Sequence, residues 1–476
     1  MAETKSTKYE PVDASPVKSF FVHMLTRDIG LDEAILDLLD NCVDGILRSK
    51  QTDHEAKPYG GFRAEIKFDK DTFEISDNCG GIPWSLHDYA FKMGRPSDRP
   101  PDVLGSVGVY GIGMKRALFK LGMRSLISTQ TADDAYEVDI TREWINDEGQ
   151  WRIPVHPARK SRTENGTTIV IGDLHDGVKK RFGEDRESFE SDLETLVATH
   201  YAFIIDKGFE VRLNRRVIKP RPTKLVFDKK MRRGKRAGIQ PFIFKTKTDG
   251  VEVFLAVGFT RPIPSQDEIE REQDEKKYSS LDAGWTVLCN DRAVLYCDRS
   301  ELTGWGEAGI PRYHTQFIAI SGIVEFKAED PSKLPTTTTK RGIDASSTLY
   351  LQIKNKMREG MRIFTNYTNK WKARAEESRR QIEAAGPALS FHEIKAASER
   401  LEFNPTKQSV PKGDQFKPEL PLPARPEPQT RRISFVKKVE EVKLVAEHLF
   451  EDPDVDPSVV GEKCFDLILS DAEAKR

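Results

Sequence analysis

The stretch from Leu31 to Arg48, LDEAILDLLDNCVDGILR, decides how the rest of the chain is read. Wound as an α-helix at about 100° per residue, it gathers Ile35, Leu39, Cys42, Val43 and Ile46 on one face. Asp37, Asp40, Asn41, Asp44 and Arg48 fall on the opposite face, with Glu33 at its edge. The apolar stripe is what a core-facing helix carries. The polar stripe sets three carboxylates and an amide on adjacent turns, where like charges at i, i+4 spacing repel. A bound cation, or phosphates bridged by one, would relieve that repulsion. A solvated acidic face is the alternative reading.

The 476 residues suit two or three domains, and an apolar content of 37% is enough to fill real cores. Charge is balanced, with 75 basic and 76 acidic side chains, so any nucleic-acid surface has to be local. The five cysteines (Cys42, Cys79, Cys289, Cys297 and Cys464) form no CxxC pair. Neither a disulfide framework nor a zinc site is therefore expected, and the cysteines suit a reducing cytoplasm. The opening MAETKSTKYEPVD lacks the pattern of a secretory signal, and no apolar run is long enough for a bilayer. A soluble cytoplasmic protein without a membrane partner is the expectation.

Outward from the helix, residues 1–19 read as a flexible arm. Phe62–Phe68 (FRAEIKF) alternates like a half-buried strand. Thr72–Ser76 is a second strand running into Asp77-Asn78-Cys79-Gly80-Gly81-Ile82. There the Gly pair lets backbone approach something closely, or simply makes a hairpin turn. Gly105-Ser-Val-Gly108-Val-Tyr110-Gly111-Ile-Gly113-Met114-Lys115 leads into a helical run. Glycines before a helix start can cradle phosphate on free N–H groups. This loop is no Walker loop, since GxxxxGK[ST] is absent from the chain. Ser125–Ser128, Ala135–Thr141 and Thr167–Ile171 read as further strands. The first half is thus an α/β sandwich of antiparallel character with helices on one face.

Four of these separated signals together resemble the GHKL ATPase superfamily, which includes microrchidia proteins, heat-shock chaperones, MutL-type repair proteins and type II topoisomerases. They are Asp37–Asn41 on the helix, Asp77-x-x-Gly80-Gly81, the glycines Gly108, Gly111 and Gly113, and Gly166-Thr167 on a late strand. The resemblance covers roughly residues 20–350 and implies a Bergerat-type ATP-binding domain over 20–185, with ATP and Mg²⁺ as ligands. By that resemblance Asn41 holds the metal, and Asp77 accepts from the adenine amino group with Thr167 in support. Gly81 and Ile82 pass close to the base. Gly108, Tyr110, Gly111, Gly113, Met114 and Lys115 wrap the phosphates. Asp37 orients the attacking water as general base. Two departures stand out. The base position usually carries Glu, one methylene longer, which implies slow hydrolysis, with Glu33 as a remote fallback. Cys79 replaces the first glycine of the second motif.

In the second half, 187–205 reads as a helix and Phe209–Ile218 as a strand. Lys229–Arg236 carries six basic residues in eight, either a phosphate-backbone patch for DNA or RNA or a solvated loop balanced by the acidic run Asp267–Glu275. Gly284–Tyr296 is a hairpin turning at Asn290-Asp291. The loop Leu334–Asp344 reads as a connector on its own terms. By the resemblance, residues 186–385 are a ribosomal-S5-like transducer domain ending in a long helix. A loop lysine there reaches the terminal phosphate: Lys340, with Arg341 second. A Pro-rich linker (386–431) and a small helical segment (432–476) complete the chain. The expected activity is Mg-ATP hydrolysis driving a clamp that dimerises on ATP binding and acts on DNA. The alternatives are a chaperone-like ATPase for protein clients, or an ATP-binding module with little hydrolysis.

Overall fold

A computed structural model describes residues 17–49, 57–93, 111–228, 238–275, 282–337, 340, 342–406, 410–423 and 431–475. Most of the expected arm, Gly108, Tyr110, Arg341 and the basic stretch Lys229–Arg236 lie outside them. The chain forms two compact units, 1–423 and 424–476. The fold is α+β with two large mixed sheets.

Eight strands make the first sheet: β1 Arg63–Phe68, β2 Phe73–Asp77, β3 Gly122–Gln130, β4 Ala135–Ile140, β5 Val155–Pro157, β6 Gly166–Leu174, β7 Glu210–Leu213 and β8 Arg216–Val217. Their order is β5-β4-β3-β6-β2-β1-β7-β8, antiparallel throughout except for the parallel β1–β7 pair. The alternation in β1 buries Ala64, Ile66 and Phe68, and register pairs Ile66 with Ile75 and Phe68 with Phe73. The helices Leu31–Ser49 and Gly113–Leu121 pack against one another and share this sheet's core. Lys18, fully buried, pins the helix Lys18–Arg27 by donating to the carbonyls of Trp144 (2.7 Å) and Asp147 (2.5 Å).

Three details differ from the sequence reading. Phe209–Ile218 is a hairpin, because Asn214 and Arg215 take left-handed φ of 45° and 71° and turn the chain between β7 and β8. The helix expected over 187–205 is two, Arg186–His200 and Ala202–Asp206, with Tyr201 between them. The first core continues to Ile218, past the expected boundary at 185.

The second sheet starts after β9 (Lys224–Val226), which lies outside it. It holds β10 Phe242–Thr248, β11 Val251–Phe259, β12 Gly284–Cys289, β13 Arg292–Asp298, β14 Ile320–Ala328, and, after β15 (Ala388–Ser390), β16 Asn404–Pro405 and β17 Asp414–Phe416. The order is β13-β12-β14-β11-β10-β17-β16, with β12 and β14 parallel. The hairpin β12–β13 turns at Asn290-Asp291 as expected, with φ of 47° and 68°. The helix Thr348–Trp371 buries Ile353, Met357, Met361 and Phe364 on this sheet. Gly360 permits the contact, since a Cβ there would lie 2.4 Å from Val257. The helical stretch to residue 385 is broken by a 3₁₀ turn before Ala375–Ala385.

Residues 386–431 are not a plain linker. β15 pairs with β9, a Ser390–Glu393 capping box starts the helix Phe391–Ser398, and β17 pairs with β10. Leu389, Phe391 and Ile394 supply the reason, burying in a third apolar cluster with Phe203 and Phe254. The second unit holds two helices, Val439–Phe450 and Pro457–Ala474, the latter capped by Asp456. No described helix is long and apolar enough to cross a membrane.

Candidate functional site

The Leu31–Ser49 helix opens with a side-chain cap: Glu33 accepts from the Gly30 N–H at 3.1 Å. That bond turns the Glu33 carboxylate back toward the start of the helix. Further along, the face expected to be polar and open is largely covered. Asp37, Asp40 and Asp44 are buried, and Asn41 alone stays exposed among the acids and amide of that face.

The charge repulsion that suggested a bound cation is relieved first by the protein's own cations. Arg116, on the Gly113–Leu121 helix, donates from Nε to Oδ2 of Asp37; both side chains are buried. Asp40 is shared three ways. Its Oδ1 accepts from Arg292 Nε at 3.0 Å and from the Tyr201 hydroxyl at 2.5 Å. Its Oδ2 accepts from Lys340 Nζ at 2.9 Å. Burial alone would push the Asp40 carboxyl up. The Lys340 ammonium and the Arg292 guanidinium outweigh it and hold the group at about 2. Burial pulls the Arg292 guanidinium down, but Tyr201 and Asp40 raise it overall. Its Cζ also lies 4.5 Å from the centre of the Tyr201 ring. These partners come from three places: Tyr201 between two helices of the first core, Arg292 at the start of β13, and Lys340 in the loop after β14. Lys340 sits in a tight loop closed by the Thr336–Ile343 bridge, with a left-handed φ of 55°.

The Asp77 turn lies against the other side of the same helix. The Cys42 thiol donates to Asp77 Oδ2 at 3.5 Å, one residue beyond Asn41. Asp77 Oδ1 accepts from the Cys79 N–H (2.7 Å) and the Thr167 N–H (3.3 Å). Among the described residues no ion pair reaches this carboxylate. It keeps an edge to solvent, yet the protein crowded around it pushes its carboxyl up, against the pull of those N–H groups. Gly45 makes the contact close enough: a Cβ there would lie 2.6 Å from the Cys79 carbonyl. Gly81 has φ of 73°, and its Cβ would fall 2.2 Å from the Gln130 carbonyl. Ile82 donates its N–H to Thr129 Oγ1 at 2.8 Å, and Thr129 Oγ1 lies 3.1 Å from Thr167 Oγ1. Thr167 and Ile82 are thus tied to one threonine behind the turn.

At the phosphate end of the sequence reading, Gly111 (φ 67°) precedes the Gly113 helix, and a Cβ on Gly113 would touch the Asp37 carboxyl at 3.4 Å. Met114 is buried. Lys115, expected among the residues that wrap the phosphates, has its ammonium on a backbone carbonyl. It is buried and donates to the Ala90 carbonyl at 2.8 Å, so the basic group against Asp37 is its neighbour Arg116. Arg116, Arg292 and Tyr201 escaped the sequence reading. Arg116 abuts the glycine motif, whereas nothing local marks the other two.

Asn41 donates its amide N–H to the Asp37 carbonyl at 2.9 Å, which leaves its amide oxygen as an outward acceptor. Among the described residues no group of three His, Cys, Asp or Glu side chains is placed to hold a metal. A hard cation here would share that amide oxygen with ligand oxygens. Two cavities, of about 350 and 570 Å³, lie elsewhere. One is beside Phe119 and His175, the other along the Thr348–Trp371 helix between Arg358 and Lys417. Comparison with models of protein families and with curated proteins finds no match to this chain.

Proposed function

We propose that the chain is a Mg-ATP-dependent ATPase of the GHKL type, a nucleotide-gated switch in which two copies pair on ATP and act on DNA. One observation carries the reading. Asp37 and Asn41 lie on a single helix that Asp77 and Gly113 both pack against, and Lys340 reaches that same helix from the loop after β14. The ion pairs support it as well: Asp37 is paired with Arg116 and Asp40 with Arg292 and Lys340, cations that an added phosphate could share.

In this reading Asp77 Oδ2 takes the adenine amino group, and Thr167 and Ile82 keep the turn in place. The Asn41 amide oxygen would help hold a magnesium ion, which would supply charge neutralisation for the triphosphate. Arg116 fixes one oxygen of Asp37 and leaves Oδ1 for the attacking water, whose proton it takes as the water oxygen bonds to the terminal phosphorus and ADP departs. Lys340 exchanges Asp40 for the terminal phosphate, so the angle between the two sheets follows the nucleotide.

Phosphate release from the purified protein tests this reading. Asp37→Ala is expected to lower release by about 100-fold or more while ATP still binds. Equal release would remove Asp37 as base. The DNA partner draws only on the Lys229–Arg236 sequence. Filter binding of duplex DNA should weaken steeply between low and high salt if that stretch contacts the backbone.

A further inference from the structure

The second unit cannot bury its own apolar surface. Among its described residues only Ala446 and Val460 are buried hydrophobics. Leu444 (69% exposed), Phe465 (53%), Ile468 (69%) and Leu469 (45%) face outward on its two helices. Phe465, Ile468 and Leu469 stand at i, i+3 and i+4 spacing and share one face. Two helices of 12 and 18 residues joined by so few buried contacts do not hold together in water unaided. A contiguous exposed apolar face of this kind marks an interaction site.

The charge pattern says what covers it. Val439–Lys475 carries eleven carboxylates against three lysines. The preceding segment RRISFVKK (Arg431–Lys438) carries four cations and no acid. It is extended, with every residue exposed, including Phe435 (67%) and Val436 (96%), so it does not pack on its own hairpin. A chain running straight into the first helix has no turn to bring it back. A second copy has both complementary parts in reach.

We propose that residues 431–475 are a self-association module: the basic, apolar segment of one copy lies on the acidic helical hairpin of a second copy, reciprocally, about a two-fold axis. The pairing needs no nucleotide and is independent of the ATPase reading.

The test uses the full chain without nucleotide, with mass followed by light scattering and ultracentrifugation at two salt concentrations. Wild type is expected to be dimeric at micromolar concentration and to dissociate more at high salt. Reversing the segment (Arg431, Arg432, Lys437 and Lys438 to Glu) should give monomers. Reversing the hairpin (Glu440, Glu441, Glu447, Glu451, Glu462 and Glu473 to Lys), which turns its eleven carboxylates and three lysines into five and nine, should do the same. Mixing the two variants should restore a one-to-one heterodimer, a readout that misfolding could not produce. A monomeric wild type would overturn the proposal, whether its hairpin rests on its own first unit or awaits another protein. So would dimers untouched by either reversal, or reversed variants that fail to pair when mixed.

Discussion

Asp40 is buried and shared by three buried partners, Tyr201, Arg292 and Lys340, and its carboxyl carries their electrostatic signature. Replacing it with Asn leaves Lys340 and Arg292 buried without their shared counter-charge, which costs about 3–5 kcal/mol and should lower the melting temperature markedly. Its carboxyl sits at about 2 in the fold, against an ordinary value of 3.8. A folded value below the unfolded one means the stabilisation, about 2–3 kcal/mol, is complete above pH ~4 and fades as pH falls toward 2. Urea midpoints of wild type and Asp40→Asn should therefore differ most at neutral pH, draw together as pH falls from about 4, and converge only below pH ~2; a constant gap would contradict the assignment. The sequence showed that Asp37, Asp40 and Asn41 share a helical face, because spacing fixes that. It could not show that the face is covered. The covering groups, Tyr201 and Arg292, lie 161 and 252 residues away, and no local pattern encodes such a pairing.

At the scale of elements, glycines set how closely the parts of the site approach. Gly45→Ala should force the Cys79 carbonyl away and cost about 1–3 kcal/mol in urea denaturation. Gly81→Ala should cost more, since it adds a left-handed φ to a 2.2 Å approach. Gly172→Ala in β6, with nothing within 4 Å, is the control and should change stability little. Equal effects at all three positions would sink the packing argument. Strands β1, β2, β4 and β6 and the Asn290-Asp291 turn were legible because alternation and turn chemistry are local. Residues 386–431 were not. Their prolines and charges read as linker, while Leu389, Phe391 and Ile394, too few to make a pattern, find their partners only in the folded core.

Across the whole first unit, buried polar contacts tie two cores. Besides the Asp40 cluster, the tip of the β12–β13 hairpin enters the first core, where Asp291 accepts from Lys207 at 2.5 Å and from the Tyr59 hydroxyl at 2.9 Å. Burial would raise the Asp291 carboxyl, but the Lys207 ammonium holds it below the usual range. Calorimetry should show residues 17–423 melting in one transition, and Asp40→Asn with Asp291→Asn should split it in two. A split already present in wild type would mean the cores are independent. The coupling matters because the proposed switch works through it, with Lys340 answering to a ligand bound in the first core. That ligand is the central claim, and titration calorimetry with Mg-ATP and a non-hydrolysable analogue tests it directly. Wild type should bind both, Asp77→Asn should lose at least tenfold in affinity, and Asp37→Ala should bind as wild type does. No heat of binding at millimolar nucleotide, or an Asp77→Asn variant that binds unchanged, would contradict the account.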